Sequence, residues 1–354
     1  MINLLKKHWL KITLIVLLIA FDSLIIAINF ISAKKDITAP GGLNEVRDLI
    51  EVEGNDNIEG SFNTIYVYSY EKASILQTYI ASFADYNEIS DSSTTTNLTY
   101  EERHLAGQIQ KNSSIEGSLI CAYNYANKTN KDIKIEYSLG GFLISNRQIN
   151  QSYLEIGDLI YGVIRNNVTY GVSDPNKFVD ILNNLKIGDT ILIIRDEKTT
   201  EYTLNEEISS DNLNRFSAYA KYNINEETIF PKYTLHKSNT LGPSGGLLQT
   251  LSVYCQITGI DLTHGKKVCG TGTISVSGKV GAIGGISQKV VTALRGGADV
   301  FICPKANSDE GLKAYLNEKG HEKMKFIIVE TFEEAVVKLG ELLHRSAPLP
   351  QVPP

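Results

Sequence analysis

The sequence predicts an α/β domain preceded by a β-rich module and a single membrane-spanning helix at the N-terminus. Three observations predict it. Residues 12–33 are apolar apart from one charge, Asp22. In the middle of the chain, runs of β-formers start at glycine turns. From about residue 208 to 346, strand-like and helix-like pieces alternate, as they do in an α/β domain. At 354 residues the chain has room for two or three domains with cores of their own. The expected division is a stub and membrane segment over 1–36, an α+β region over 37–130, the β-rich module over 131–207, the α/β domain over 208–346, and a proline-rich tail over 347–354.

Composition narrows the function classes. Hydrophobic residues make up 42% and charged residues 21%, the balance of a globular protein. The net charge of −6, with no Lys/Arg-rich block, argues against a nucleic-acid surface, because phosphate contacts need clustered cations. Cys121, Cys255, Cys269 and Cys303 form no CxxC pair, and no His/Cys cluster has zinc-ligand spacing. Three of them sit in apolar runs ("SVYCQI", "KKVCGT", "VFICPK"), where buried, inert thiols are expected.

About 20 apolar residues span a bilayer, whereas the core of a cleaved signal is about 7–15 residues long. Residues 12–33 fit the first length. Asp22, if ionised at the bilayer centre, would cost about 3 kcal/mol, which the surrounding Ile and Leu residues outweigh. Cleavage before Lys34 would need small residues there, and Ile31 fits the −3 position poorly. An uncleaved anchor is therefore expected in the cell membrane, contacting lipid. Lys6, Lys7 and Lys11 favour a basic stub inside and the bulk of the chain outside, although Lys34 and Lys35 flank the far end.

After the anchor, "DITAPGGL" (36–43) should break regular structure through Pro40, Gly41 and Gly42. "NTIYVYSY" (63–70) reads as a strand and "ASILQTYIASF" (73–83) as a helix. "DSSTTTNLT" (91–99) reads as a polar loop. Ile115, Leu119, Ile120 and Tyr123 then recur at helical spacing. "SLGGFLIS" (138–145) reads as a glycine turn followed by a short strand. "LEIGDLI" and "LKIGDTILIIR" share L-x-I-G-D at a separation of 31 residues, which suggests two tight turns that each launch a strand. Between them, Phe178, Ile181, Leu182 and Leu185 form the stripe of an amphipathic helix. This order of glycine turn, strands and helix over 131–207 resembles a bacterial PDZ domain. The resemblance implies that Gly140, Gly141 and Phe142 offer backbone N–H groups to a peptide's C-terminal carboxylate. The alternative is a β-rich spacer that binds nothing.

"NTLGPSGGLLQTL" (239–251) places Ser244 among Gly242, Pro243, Gly245 and Gly246, directly before an apolar helix. A serine at a helix N-terminus lies beside free N–H groups that can stabilise an oxyanion. The same turn could simply cap the helix. A nucleophile also needs a base. An α/β-hydrolase arrangement would take a histidine after the serine, leaving His321 and His344, but its strand would have to run directly into the first glycine. Here Asn239, Thr240 and Leu241 intervene. The other candidate is Lys289, in the first turn of a helix with Val290, Val291 and Ala293 around it. A lysine serves as a base only when burial brings its pKa down towards neutrality.

Residues 240–304 resemble the proteolytic domain of Lon-type serine proteases, which use a Ser–Lys dyad. The family's G-P-S-[AG]-G motif matches Gly242 to Gly246, and its G-G-[ILV]-x-x-K motif matches Gly284 to Lys289. A glycine frame joins the two over 271–285 without a gap. The resemblance implies that Ser244 is the nucleophile, Lys289 the base, and Thr271 the residue that orients Lys289. It places the oxyanion turn at Gly242, Pro243 and Gly245. The full layout resembles the membrane-anchored PDZ–Lon proteases of Gram-positive bacteria, acting on peptide or protein substrates such as exported peptides or membrane-protein segments. No metal or cofactor is implied, and the oligomeric state stays open. A nucleotide site is not expected either. The nearest approach to a P-loop, "TISVSGKV", has Thr273 for the first glycine and Val280 for the hydroxyl. The rival expectations are an esterase using Ser244 with His321, and a membrane-tethered peptide-binding scaffold.

Overall fold

A computed structural model describes residues 2–54, 57–93, 98–148, 153–205 and 216–342, with the side chains of residues 2–7 left out. The chain divides into two compact units, residues 1–41 with 67–93 and residues 42–66 with 94–354.

The smaller unit begins with the helix Ile2–Phe30. Its stretch His8–Phe30 is long and apolar enough to cross a membrane. The helix stops at Phe30, three residues before the expected end, because the chain there enters the strand Ser32–Glu45. "DITAPGGL" therefore lies inside a strand, contrary to expectation. Lys35 to Thr38 pair antiparallel with the strand Glu88–Asp91, so the ladder is already formed before Pro40. Within the larger unit, a Cβ on Gly42 would come within 2.5 Å of the Tyr66 hydroxyl. The glycine there permits a close approach and does not break the strand. The helix Ile75–Ala81 forms as expected. Its Ser74 N-cap accepts from the Gln77 N–H, while the Gln77 side chain reaches back to the Ser74 N–H, a complete capping box. Ile37, Ala73, Ala81 and Ile89 pack together as this unit's small core.

The larger unit holds a parallel sheet and an antiparallel one. Lys325–Val329, Val300–Pro304, Lys267–Gly270 and the start of Ser61–Ser74 run parallel in that order. All five residues of Val300–Pro304 are buried, as expected of a central parallel strand covered on both faces. The helices Ile286–Arg295, Ser308–Asn317 and Phe332–Gly340 alternate with these strands. The helix Gly246–Thr258 is buried all round from Gly246 to Ile257 and so lies inside the core; the apolar face seen in its sequence is only part of it. Against it packs the helix Tyr100–Ala126, with Leu119, Ile120 and Tyr123 fully buried. The four cysteines are free and buried, and burial pushes each thiol up to about 12.

The antiparallel sheet runs Phe216–Phe230, Lys134–Arg147, Leu159–Arg165, Thr190–Arg195, Lys198–Thr203, with Val168–Gly171 paired to Leu159–Arg165. Both L-x-I-G-D segments are turns that launch strands, with Gly157 at φ 99° and Gly188 at φ 87°. Their aspartates do more than turn the chain. Asp158 accepts from the Glu155 N–H and Asp189 from the Lys186 N–H, closing each turn. Arg165, at the end of the first strand, pairs with Asp189; Arg195, at the end of the second, pairs with Asp158. Each copy thus holds the other copy's turn. The helix Pro175–Asn183 closes this core with Phe178, capped by the Asp174 side chain.

The expected glycine turn at 138–145 is absent. Gly140 and Gly141 lie inside the continuous strand Lys134–Arg147. Lys221 pairs with Gly141 and Tyr222 with Leu139, so Gly140 is the extra residue of a β-bulge. Gly141 has φ 145°, and a Cβ there would come within 2.5 Å of the Ile160 carbonyl. Phe142 is paired on one side with Ala220 and on the other with Ile160. With both its edges occupied, Phe142 offers no strand edge to an incoming peptide.

Candidate active site

The turn 242–245 runs straight into the helix Gly246–Thr258, and Gly242 sits at φ 86°, a conformation that favours glycine. Gly245 is the helix N-cap and no side chain caps it. The Ser244 hydroxyl therefore does not serve as a cap. Its Oγ instead accepts a hydrogen bond from Lys289 Nζ at 2.7 Å. The sequence elements 45 residues apart are brought together as expected.

Lys289 stands in the first turn of the helix Ile286–Arg295, which starts from Gly285 in the left-handed conformation. Ile286, Val290 and Ala293 of the same helix are fully buried, and Lys289 itself is 3% exposed. Burial penalises the ammonium form and brings the lysine down from 10.5 to about 8. Among the described residues it forms no ion pair that would restore the charge. A useful fraction of neutral amine is thus present near physiological pH.

Thr271 follows the strand Lys267–Gly270, at the carboxyl end of the parallel sheet where open α/β sheets place their sites. Its Oγ1 accepts from Lys289 Nζ at 3.1 Å and donates to the Ser244 carbonyl at 3.0 Å. The Gly272 N–H donates to the same carbonyl at 2.8 Å. One hydroxyl therefore fixes both the base and the backbone of the nucleophile.

The oxyanion turn is narrower than the sequence suggests. Pro243 has no N–H, and the Gly242 N–H is spent on the Gly107 carbonyl. The N–H groups of Gly246 and Leu247 bond to the carbonyls of Pro243 and Gly272. Ser244 and Gly245 are left, with N–H groups that have no acceptor among the described residues.

Sequence reasoning missed the buttress. The Gly107 carbonyl, Ser114 Oγ and Ser118 Oγ lie on one face of the helix Tyr100–Ala126 and bond to Gly242 N, Pro243 O and Gly246 O, each at 3.0 Å. The signal was two serines, Ser114 and Ser118, among the apolar positions of a buried helix face. His321 is elsewhere: its Nδ1 lies 2.9 Å from the Glu318 carbonyl and its ring packs edge-on against Tyr315. Gly140, Gly141 and Phe142 lie within the strand Lys134–Arg147 and not in the expected turn.

Residues 219–341 match the Lon protease (S16) C-terminal proteolytic domain, so the chain carries the proteolytic domain of a serine peptidase. The peroxisomal Lon protease homolog 2 of Caenorhabditis briggsae is 33% identical over 103 residues, which cover 29% of this chain and 13% of that protein. The Lon protease of Clostridioides difficile is 34% identical over 107 residues, covering 28% and 13%. The Lon protease of Wolbachia pipientis is 24% identical over 226 residues, covering 61% and 26%. The chain thus spans about an eighth to a quarter of the length of these relatives.

Proposed function

We propose that this chain is a membrane-anchored endopeptidase that cuts peptide bonds with the Ser244–Lys289 dyad and needs no ATP. The observation that carries the proposal is the 2.7 Å bond from a buried, depressed-pKa lysine to a serine that opens a buried helix. In its neutral form Lys289 takes the Ser244 hydroxyl proton as Oγ attacks the scissile carbonyl. The resulting ammonium then gives that proton to the leaving amine. Thr271 holds Nζ in place, and the N–H groups of Ser244 and Gly245 face the developing oxyanion.

The apolar helix His8–Phe30 supports the anchor, and Lys6, Lys7 and Lys11 at the start of the chain support a short inner stub with the protease outside the cell. Exported peptides or membrane-protein segments are the substrates within reach of such an enzyme. In layout, the β-rich module is PDZ-like, a small antiparallel sheet closed by one helix, and no peptide-binding role is assigned to Gly140–Phe142. The test is hydrolysis of an unstructured peptide by the full chain in detergent. Ser244→Ala and Lys289→Ala should each lower kcat/KM by at least about a thousandfold while the fold is retained. Near-normal turnover by either variant would reject the dyad. His321→Ala should cleave at the wild-type rate, whereas an esterase built on that histidine would lose activity.

A further inference from the structure

"ASILQTYIASF" folds into a helix too short to be amphipathic for the sake of its own core. The inner side buries Ala81 beside Ile37 and Ala73. On the outer side stand Ile75, Tyr79 and Ile80, which fall within about 140° of arc at 100° per residue, and Phe83 follows in the turn after the helix. They are 42%, 63%, 61% and 72% exposed. The Tyr79 and Phe83 rings meet edge to face, centroids 4.9 Å apart, so the two aromatics form one surface.

Its position is what gives this surface meaning. The Ile75 N–H donates to the Ile31 carbonyl at 2.9 Å, and Ser32 Oγ donates to the Lys72 carbonyl at 3.1 Å. The start of the short helix is therefore stitched to the residue that directly follows the apolar helix. The 23 residues of His8–Phe30 span about 35 Å, slightly more than the roughly 30 Å of hydrocarbon in a bilayer. Phe30 and Ile31 then emerge at headgroup depth, and the exposed apolar side chains stitched to them lie at the same depth. Aromatic residues collect at that level, because a ring can be immersed while its polar edge stays hydrated.

We propose that Ile75, Tyr79, Ile80 and Phe83 form a membrane-interface foot that rests in the lipid headgroup layer beside the anchor. The inference rests on the membrane-anchored reading above. The bilayer is favoured over a second copy of this chain as the occupant because the foot is hydrogen-bonded to Ile31, the residue directly after the anchor's end.

Trp9 is the single tryptophan of the chain, which makes depth measurable by fluorescence quenching. The full chain is reconstituted in phosphatidylcholine–phosphatidylglycerol vesicles carrying lipids brominated at shallow or at deep acyl positions. Wild type reports the anchor through Trp9. Two variants in a Trp9→Phe background, Phe83→Trp and Tyr79→Trp, report the foot independently. Shallow bromines should quench both reporters several-fold more than deep ones. If Trp9 is quenched in wild type while both reporters resist every bromolipid, the foot is overturned and the anchor stands. Reporters that resist bromine yet emit as buried tryptophans overturn it in favour of a second copy. Should Trp9 also escape quenching, the anchor reading falls and takes the foot with it.

Discussion

Lys289 is where the catalytic proposal and the stability of the fold meet. A base must be neutral to act, so kcat/KM should rise with pH through an apparent pKa of about 8, the value that burial leaves it. A profile flat from pH 7 to 9 would remove Lys289 from the role of base. The same shift has a cost. Because the folded pKa lies below the unfolded 10.5, the unfolded chain binds the extra proton between those values, and stability rises with pH across that window. Below about pH 8 the burial penalty is fully present, on the order of 3 kcal/mol for a shift of this size. Lys289→Met should therefore inactivate the enzyme yet stabilise it at pH 7 by up to about that amount. The gain should fade as the pH climbs towards 10.5, as read by denaturant unfolding at a series of pH values. A variant less stable than wild type at pH 7 would show that the two hydrogen bonds of Lys289 outweigh its desolvation. At this scale the dyad was legible, because glycines at fixed offsets around a serine and a lysine are local features. Ser114 and Ser118 were not. Their partners lie more than 120 residues away in the chain, and a serine in a helix carries no mark of what it will face.

Between the elements, the L-x-I-G-D echo was legible as two turns, but the cross-bracing was not, since it pairs each turn with the strand of the other copy. Asp158 and Asp189 keep 1% and 3% of their side-chain surface exposed, and Arg195 and Arg165 keep 30% and 18%. Removing one carboxylate strands a largely buried guanidinium, which typically costs about 3–5 kcal/mol. Asp189→Ala should approach that figure in chemical denaturation. Asp91→Ala, which breaks the exposed pair with Lys35, should cost about 1 kcal/mol or less. Equal effects from the two would mean that the reciprocal brace contributes nothing beyond a surface pair. The two misreadings at this scale share a cause. Glycine and proline were taken as breakers at 36–43 and 138–145, where the backbone is in fact held in paired strands. Gly140 and Gly141 serve a bulge, and Gly42 serves close packing on Tyr66. Composition alone does not separate a turn from a bulge, because both use the same absence of a Cβ.

On the scale of the whole molecule, the matched relatives are several times longer than the segment they share with this chain, and the shared segment is the proteolytic domain. A nucleotide-driven machine needs backbone N–H groups cradling phosphates, a lysine on them and a hydroxyl on Mg²⁺. In these 354 residues the closest stretch is 273–280, and there the structure has already assigned the parts elsewhere. Thr273 and Ile274 pair with Gly281 and Val280 in a hairpin, and the Val280 N–H bonds to the Glu330 carbonyl. No helix N-terminus follows the lysine to receive a phosphate, since the next helix starts only at Ile286. Lys289 Nζ stands within hydrogen-bond distance of both Ser244 and Thr271. Hydrolysis of an unstructured peptide by the full chain should therefore run at the same rate with and without ATP and Mg²⁺, and a non-hydrolysable analogue should not inhibit it. A rate that climbs on adding ATP would place a nucleotide site in this chain or in something bound to it, and would overturn the ATP-independent reading while leaving Ser244 and Lys289 as the dyad.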